Sequence, residues 1–246
     1  MDLLLKDKVV VVTGGAKGIG AAIVQTLVGE GAFPVIVDRD LEAGRKLEEN
    51  LRRHGIPPLL ICSELTDAEN CQNSIEETVR QFGRLDALVN NASAFLPSPL
   101  ETATLAQWNE LFASNAQAPF FLAQAALPAL RATHGAIVNL VDIYAERALA
   151  HHPIYVMAKA ALAAMTRTLA LDLGPDVRVN GVAPGAVMWP SDGSSYTDQE
   201  AMLARTPLKR AGRPEDVASA VLWLLRDAPF VTGQIIRVDG GRSVPV

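Results

Sequence analysis

A chain of 246 residues with 49% apolar side chains has enough hydrophobic material for one substantial core. Its formal net charge of −5, with the Lys and Arg residues scattered along the chain, leaves no basic face for nucleic acid. No stretch reaches the ~20 uninterrupted apolar residues of a membrane span, so neither nucleic acid nor membrane is an expected partner.

The N-terminal run Leu3-Leu4-Leu5 lacks the basic start and long apolar core of a secretory signal, which points to the cytoplasm. From there, short β-branched runs alternate with longer helical patterns. Val9 to Thr13, Pro34 to Asp38, Leu59 to Cys62 and Ala87 to Asn90 read as strands, followed by Ala136 to Val141, Val177 to Val182 and Ile235 to Val238. Amphipathic stretches such as Ile19 to Glu30, Leu41 to His54 and Asp67 to Phe82 lie between them. Strands that are apolar throughout fit a parallel sheet covered on both faces, and the alternation gives a doubly wound, three-layer α/β/α arrangement. No composition break divides the chain, so residues 1–246 read as one domain, with a mobile loop expected at 187–205. Cys62 and Cys71 have no partners spaced for a metal or disulfide framework; they read as buried or half-buried thiols, and no metal is expected.

The first strand runs into Thr13-Gly14-Gly15-Ala16-Lys17-Gly18-Ile19-Gly20, where a helix opens. Glycines let backbone approach a pyrophosphate, and a helix N-terminus offers free N–H groups and a positive dipole. Gly14, Lys17, Gly18, Ile19 and Gly20 are therefore cofactor-binding candidates. Asp38, about twenty residues on, can accept the adenosine ribose hydroxyls and repel a 2′-phosphate, favouring NAD(H). Arg39 and Lys17 are cations able to pair with that phosphate, so NADP(H) stays open. Glu64 and Leu65, after the third strand, complete the adenosine side.

Tyr155 and Lys159 stand four apart at the start of a long helical pattern and share one face. A phenol's ordinary pKa near ~10 makes it a poor proton shuttle, and an adjacent ammonium favours the phenolate.

Together with Asn90-Asn91-Ala92, Asn115, Arg178-Val179-Asn180, Pro184-Gly185 and Val238-Asp239-Gly240-Gly241, these pieces resemble the short-chain dehydrogenase/reductase family along essentially the whole chain. The resemblance implies a Rossmann-type fold, a nicotinamide cofactor, a small-molecule substrate and a homotetramer. It makes Tyr155 the general acid/base and Lys159 the ribose ligand that lowers the tyrosine pKa. Asn115 matches the residue holding a water of the proton relay. Asn91, Ala92 and Ser93 match cofactor contacts, and Pro184, Gly185 and Val187 the loop over the nicotinamide. Asn90 and Asn180 read as structural ties.

One position departs from the family. A serine usually stands thirteen residues before the tyrosine, and here it is Asp142. A carboxylate cannot donate to a carbonyl oxygen, but it can accept from substrate N–H groups in a bidentate pair. That pattern is similar to the pteridine reductases, as are the segments Asn91 to Leu100, Asn139 to Ile143, Ala158 to Ala160 and Trp189-Pro190. The resemblance implies a pterin-like substrate, with Phe95 stacking the heterocycle, Ser93 touching both ligands, Asp142 orienting or protonating the ring and Trp189 a loop anchor or lid residue. Against it, pteridine reductases generally carry a basic residue where this chain has Gly18, and they use NADPH. The alternatives are an NAD-linked alcohol, sugar or hydroxysteroid dehydrogenase and, from another class, a silent dinucleotide sensor, which would have no need of Tyr155, Lys159 and Asn115.

Overall fold

The computed structural model describes residues 5–53, 58–187 and 199–244. Seven strands, β1 (Val9–Thr13), β2 (Phe33–Asp38), β3 (Leu59–Cys62), β4 (Ala87–Asn90), β5 (Ala136–Leu140), β6 (Arg178–Pro184) and β7 (Ile235–Val238), form one sheet in the order β3-β2-β1-β4-β5-β6-β7. Every neighbouring pair is parallel. All strands therefore end at the same edge, and the order reverses between β1 and β4, where such sheets bind ligands. This is the single-domain, doubly wound fold that the strand–helix alternation implies.

Successive β1 residues point to opposite faces, so its unbroken valine run serves two cores. Val10 and Val12 pack with Ile23 and Leu27 of α1 (Gly18–Gly29), Leu47 of α2 (Leu41–Arg52), and Val221 and Leu224 of α8 (Pro214–Arg226). Val9 and Val11 pack with Ile75 of α3 (Ala68–Phe82), Leu122 and Leu130 of α5 (Ala118–Thr133), and Ala170 of α6 (Pro153–Leu173). Helix α4 (Leu105–Phe112) joins α5 through a π-helical turn, Ala113–Gln117. Asp40 caps α2, Asp67 caps α3, and Thr104 with Gln107 forms a capping box on α4.

By length and hydropathy α6 is able to cross a bilayer. In this fold it lies against β6, with Tyr155, Ala158, Lys159 and Leu162 buried on its inner face. Two sequence expectations need correction. Strand β6 starts at Arg178 and runs two residues past Val182, because its end pairs with β7 at Pro184 and Val238. Cys62 is exposed, since it closes an edge strand; Cys71 is buried, and burial pushes its thiol up to about 11.

Buried polar side chains bind the layers beneath the site. Asn90 Nδ2 donates to Asn139 Oδ1 at 2.8 Å, and Asn139 Nδ2 donates to Thr166 Oγ1 at 2.9 Å, joining β4, β5 and α6. Asn180 spans to Val231 and Gln234, and the Arg178 guanidinium collects the Leu224, Leu225 and Ala228 carbonyls at the end of α8. Asn139→Ala strands buried groups on Asn90 and Thr166, and we expect a loss of about 1–3 kcal/mol of stability, read from the midpoint of urea unfolding.

Candidate active site

The end of β1 and the end of β4 are knitted together by Thr13 and Asn91. The Thr13 hydroxyl accepts from the Asn91 and Ala92 N–H groups, both at 3.0 Å. Asn91 Nδ2 donates back to the Thr13 and Gly14 carbonyls at 2.9 and 3.0 Å. Gly14 holds φ +60° and Gly18 φ +55°, conformations that side chains rarely adopt. A Cβ on Gly20 would stand 2.1 Å from the Gly14 carbonyl oxygen. Unlike α2, α3 and α4, helix α1 begins without a side-chain cap, so its first-turn N–H groups face the glycine turn free of an internal carboxylate or hydroxyl.

A cavity of about 290 Å³ opens beside this turn. It gathers Gly14, Asp38, Arg39, Glu64, Leu65, Asn91, Ala92 and Ser93 from four separate segments, together with Ser63, Thr66, Glu110 and Ser114, which sequence reading passed over. Asp38 has more to do than meet a ribose. Its Oδ2 accepts from Ala16 N–H at 3.0 Å and its Oδ1 from Asp40 N–H at 2.9 Å, so it also fixes the glycine turn. Arg39 pairs with Glu64 at 3.3 Å, and Lys17 pairs with Asp40.

The second half of the site forms where β5 ends and α6 begins. Tyr155 Oη donates to Asp142 Oδ2 at 2.8 Å. Lys159 Nζ donates to the Leu140 carbonyl at 2.9 Å and lies 5.8 Å from the Tyr155 ring centre. Burial lowers the Lys159 pKa to about 8, with Asp142 pulling the other way. Burial raises the Asp142 carboxyl above its ordinary value, opposed by the Tyr144 N–H, the Tyr155 hydroxyl and the Lys159 charge. Asp142 thus points at the tyrosine and shares its proton.

Asn115 sits buried in the π-turn. Its Nδ2 donates to the Ala94 and Leu111 carbonyls at 2.8 and 2.9 Å, and its Oδ1 accepts from Ser93 Oγ at 2.6 Å. Four residues on stands Pro119, which has no N–H, so the i, i+4 helical bond to the Asn115 carbonyl cannot form. That signal was readable in the sequence. Phe95 stacks on His152 at 4.6 Å and meets Tyr155 edge-on at 4.8 Å. His152, whose Nδ1–H bonds the Ala150 carbonyl, was missed because no motif marks it.

Ile19 packs against the core, Pro184 closes β6, and a Cβ on Gly185 would stand 2.8 Å from Asp239. Val187 is buried in the core cluster. Trp189 lies outside the described residues, as do 188–198 of the expected loop; its far end, Gln199–Ala204, forms helix α7.

Comparison with known proteins agrees with this geometry. The family described as enoyl-(acyl carrier protein) reductase matches residues 14–243. The L-fucose dehydrogenase of Mus musculus is 38% identical over 96% of this chain and 89% of its own length. The chain belongs to the short-chain dehydrogenase/reductase family. Among solved structures, a 7α-hydroxysteroid dehydrogenase complexed with NADH and 7-oxo glycochenodeoxycholic acid matches with TM-score 0.93 and 31% identity, covering 98% of this chain and 96% of its own. A blue fluorescent protein from a metagenomic library, in complex with NADPH, matches with TM-score 0.90 and 33% identity, covering 97% and 99%.

The uncapped α1 terminus, the glycines that leave no room for a Cβ and the adjoining cavity fit a dinucleotide. Gly20→Ala drives a methyl into the Gly14 carbonyl and the Asn91 side chain, so NADH affinity, measured by fluorescence titration, should fall tenfold or more while the chain still folds.

Proposed function

We propose that this oxidoreductase moves a hydride between a nicotinamide dinucleotide and a small substrate, and that the substrate is a flat nitrogen heterocycle with a reducible C=N bond, as in a pterin. The bound dinucleotide supplies the hydride. Tyr155 delivers the proton that forms N–H, the hydride having formed C–H at the other end of the C=N bond. Lys159, buried beside it, favours the phenolate that remains. The Tyr155–Asp142 hydrogen bond of 2.8 Å carries this reading. A carboxyl here offers nothing to a carbonyl oxygen when ionised, yet it accepts from the N–H edge of a heterocycle, and its raised pKa suits exchange of a proton with a ring nitrogen. Ser93 lines the cavity, and Phe95, stacked on His152 and edge-on to Tyr155, supplies an aromatic ring beside the reacting hydroxyl for a flat ligand.

A second reading has its own support. The relatives named above are called dehydrogenases of L-fucose and of a 7α-hydroxysteroid, which favours a carbonyl/alcohol pair as substrate. In that case the proton passes between Tyr155 and the substrate oxygen, and Asp142 serves to orient the tyrosine. The intact Tyr155, Lys159 and Asn115 arrangement argues against a silent sensor.

Turnover of dihydropterins against a panel of ketones and secondary alcohols separates the two. Tyr155→Phe should lower turnover on the true substrate by about 10²-fold or more while NADH still binds. Asp142→Ser should damage pterin turnover and raise ketone reduction. A rise on ketones with no pterin-specific loss would leave only the second reading.

NAD(H) is the proposed cofactor, on the charge of Asp38 at the adenosine ribose. The dinucleotides in the two solved relatives, NADH and NADPH, give no preference. We also infer a homotetramer. Trp108, Phe120 and Met157 on α4, α5 and α6 form one set of exposed apolar side chains, and Trp223 with Phe230, at and after α8, forms another. Sedimentation should show a species near four times the 26.2 kDa chain mass; a stable monomer at micromolar concentration would contradict this.

A further inference from the structure

His152 stands at the N-cap of α6, where Ser, Thr, Asp and Asn ordinarily hold the first free N–H groups, yet its side chain caps nothing. The ring turns inward instead and is only 6% exposed. Its Nδ1 donates to the Ala150 carbonyl at 2.8 Å, which in the neutral ring leaves Nε2 an acceptor. Nε2 is buried and has no hydrogen-bond partner among the described residues. The turn that delivers the ring is strained, because His151 holds φ +63°, a region that residues other than glycine seldom adopt. In that conformation the His151 carbonyl accepts from Ser98 N–H at 2.7 Å, tying the turn to the segment that carries Phe95. Phe95 lies nearly flat on the imidazole, with ring centres 4.6 Å apart and planes 12° apart, and meets Tyr155 edge-on at 4.8 Å and 88°.

We propose that His152 is a positioning residue for the substrate: its ring fixes the plane of Phe95, and Phe95 so held forms the pocket wall beside the Tyr155 hydroxyl. The proposal rests on the reading of Tyr155 as the reacting group, and it holds for a heterocycle or a carbonyl substrate alike. The imidazole covers one face of Phe95, and the bond to Ala150 keeps the imidazole itself from turning. An aromatic pair of this kind shifts an equilibrium by roughly two- to tenfold beyond the area it buries. Without it Phe95 leaves the competent orientation part of the time, and apparent substrate affinity falls with the fraction of chains still competent. Tyr155 keeps its bond to Asp142, and Lys159 its bond to the Leu140 carbonyl, so the chemical step is left intact. The loss therefore falls on KM rather than on kcat.

The test compares the wild type with His152→Ala, His152→Phe, His152→Asn, Phe95→Ala and the double variant Phe95→Ala/His152→Ala, each with NADH bound. His152→Asn gives α6 a capping side chain, so a variant without the ring remains available even if alanine weakens the helix start. Crystal structures should show Phe95 displaced from Tyr155 in His152→Ala and His152→Asn, and kept in place in His152→Phe. On whichever compound is turned over among dihydropterins, ketones and secondary alcohols, KM should rise about three- to tenfold in His152→Ala and His152→Asn. There kcat and NADH affinity should stay within about twofold of the wild type, and His152→Phe should restore KM to within about twofold. Once Phe95 is alanine, removing the His152 ring should change KM no further. Phe95 unmoved in His152→Ala overturns the proposal. So does a KM that rises as much in His152→Phe, which assigns the effect to the ring nitrogens, or a fall in kcat with KM unchanged. If no compound is turned over, the substrate reading fails, and the position of Phe95 in the variants decides this proposal by itself.

Discussion

Lys159 is an ammonium group buried on the inner face of the longest helix, and an interior charge without partners is costly enough to force a rearrangement or a loss of charge. Its position constrains everything around it. The Leu140 carbonyl has to reach it from the end of β5, Asp142 has to follow two residues later, and Tyr155 has to lie one helical turn before it on α6. Beneath them the buried Asn90–Asn139–Thr166 hydrogen bonds join β4, β5 and α6.

The opposite end of the site depends on backbone proximity. Gly14, Gly20 and Asn91 approach so closely that side chains have no room, and Thr13 supplies the hydroxyl that makes the approach favourable. Where backbone crowds in this way the helix start stays uncapped, leaving N–H groups for an anion. The charged residues beside the cavity are tied into the same backbone, Asp38 holding the glycine turn and Asp40 capping α2.

Asp142 connects site chemistry to substrate. In a family whose members usually place a hydroxyl here, an ionised carboxyl accepts hydrogen bonds where a hydroxyl could donate one. Its hydrogen bond to Tyr155 couples the two groups, so a proton leaving one is felt by the other. The similarity to L-fucose and 7α-hydroxysteroid dehydrogenases extends over nearly the whole chain and favours a carbonyl/alcohol pair, so Asp142 is the position at which the two substrate readings part.

Strand positions, the glycine turn and the Tyr155–Lys159 pair were legible from the sequence because each is local: alternation, a run of glycines and an i, i+4 spacing are written in neighbouring residues. The doubly wound arrangement followed from the strand–helix alternation, whereas the strand order came from the pairing itself, and the missing N–H of Pro119 is covalent chemistry. Other features came only with the tertiary structure. That Asp142 faces Tyr155, that Phe95 leans on His152 and that Glu64 reaches Arg39 depend on segments 13 to 57 residues apart meeting at one sheet edge. The double duty of Asp38 and the exposure of Cys62 were hidden for the same reason. Side-chain direction and partner choice are set by packing between distant segments, and no local pattern in a single chain encodes them.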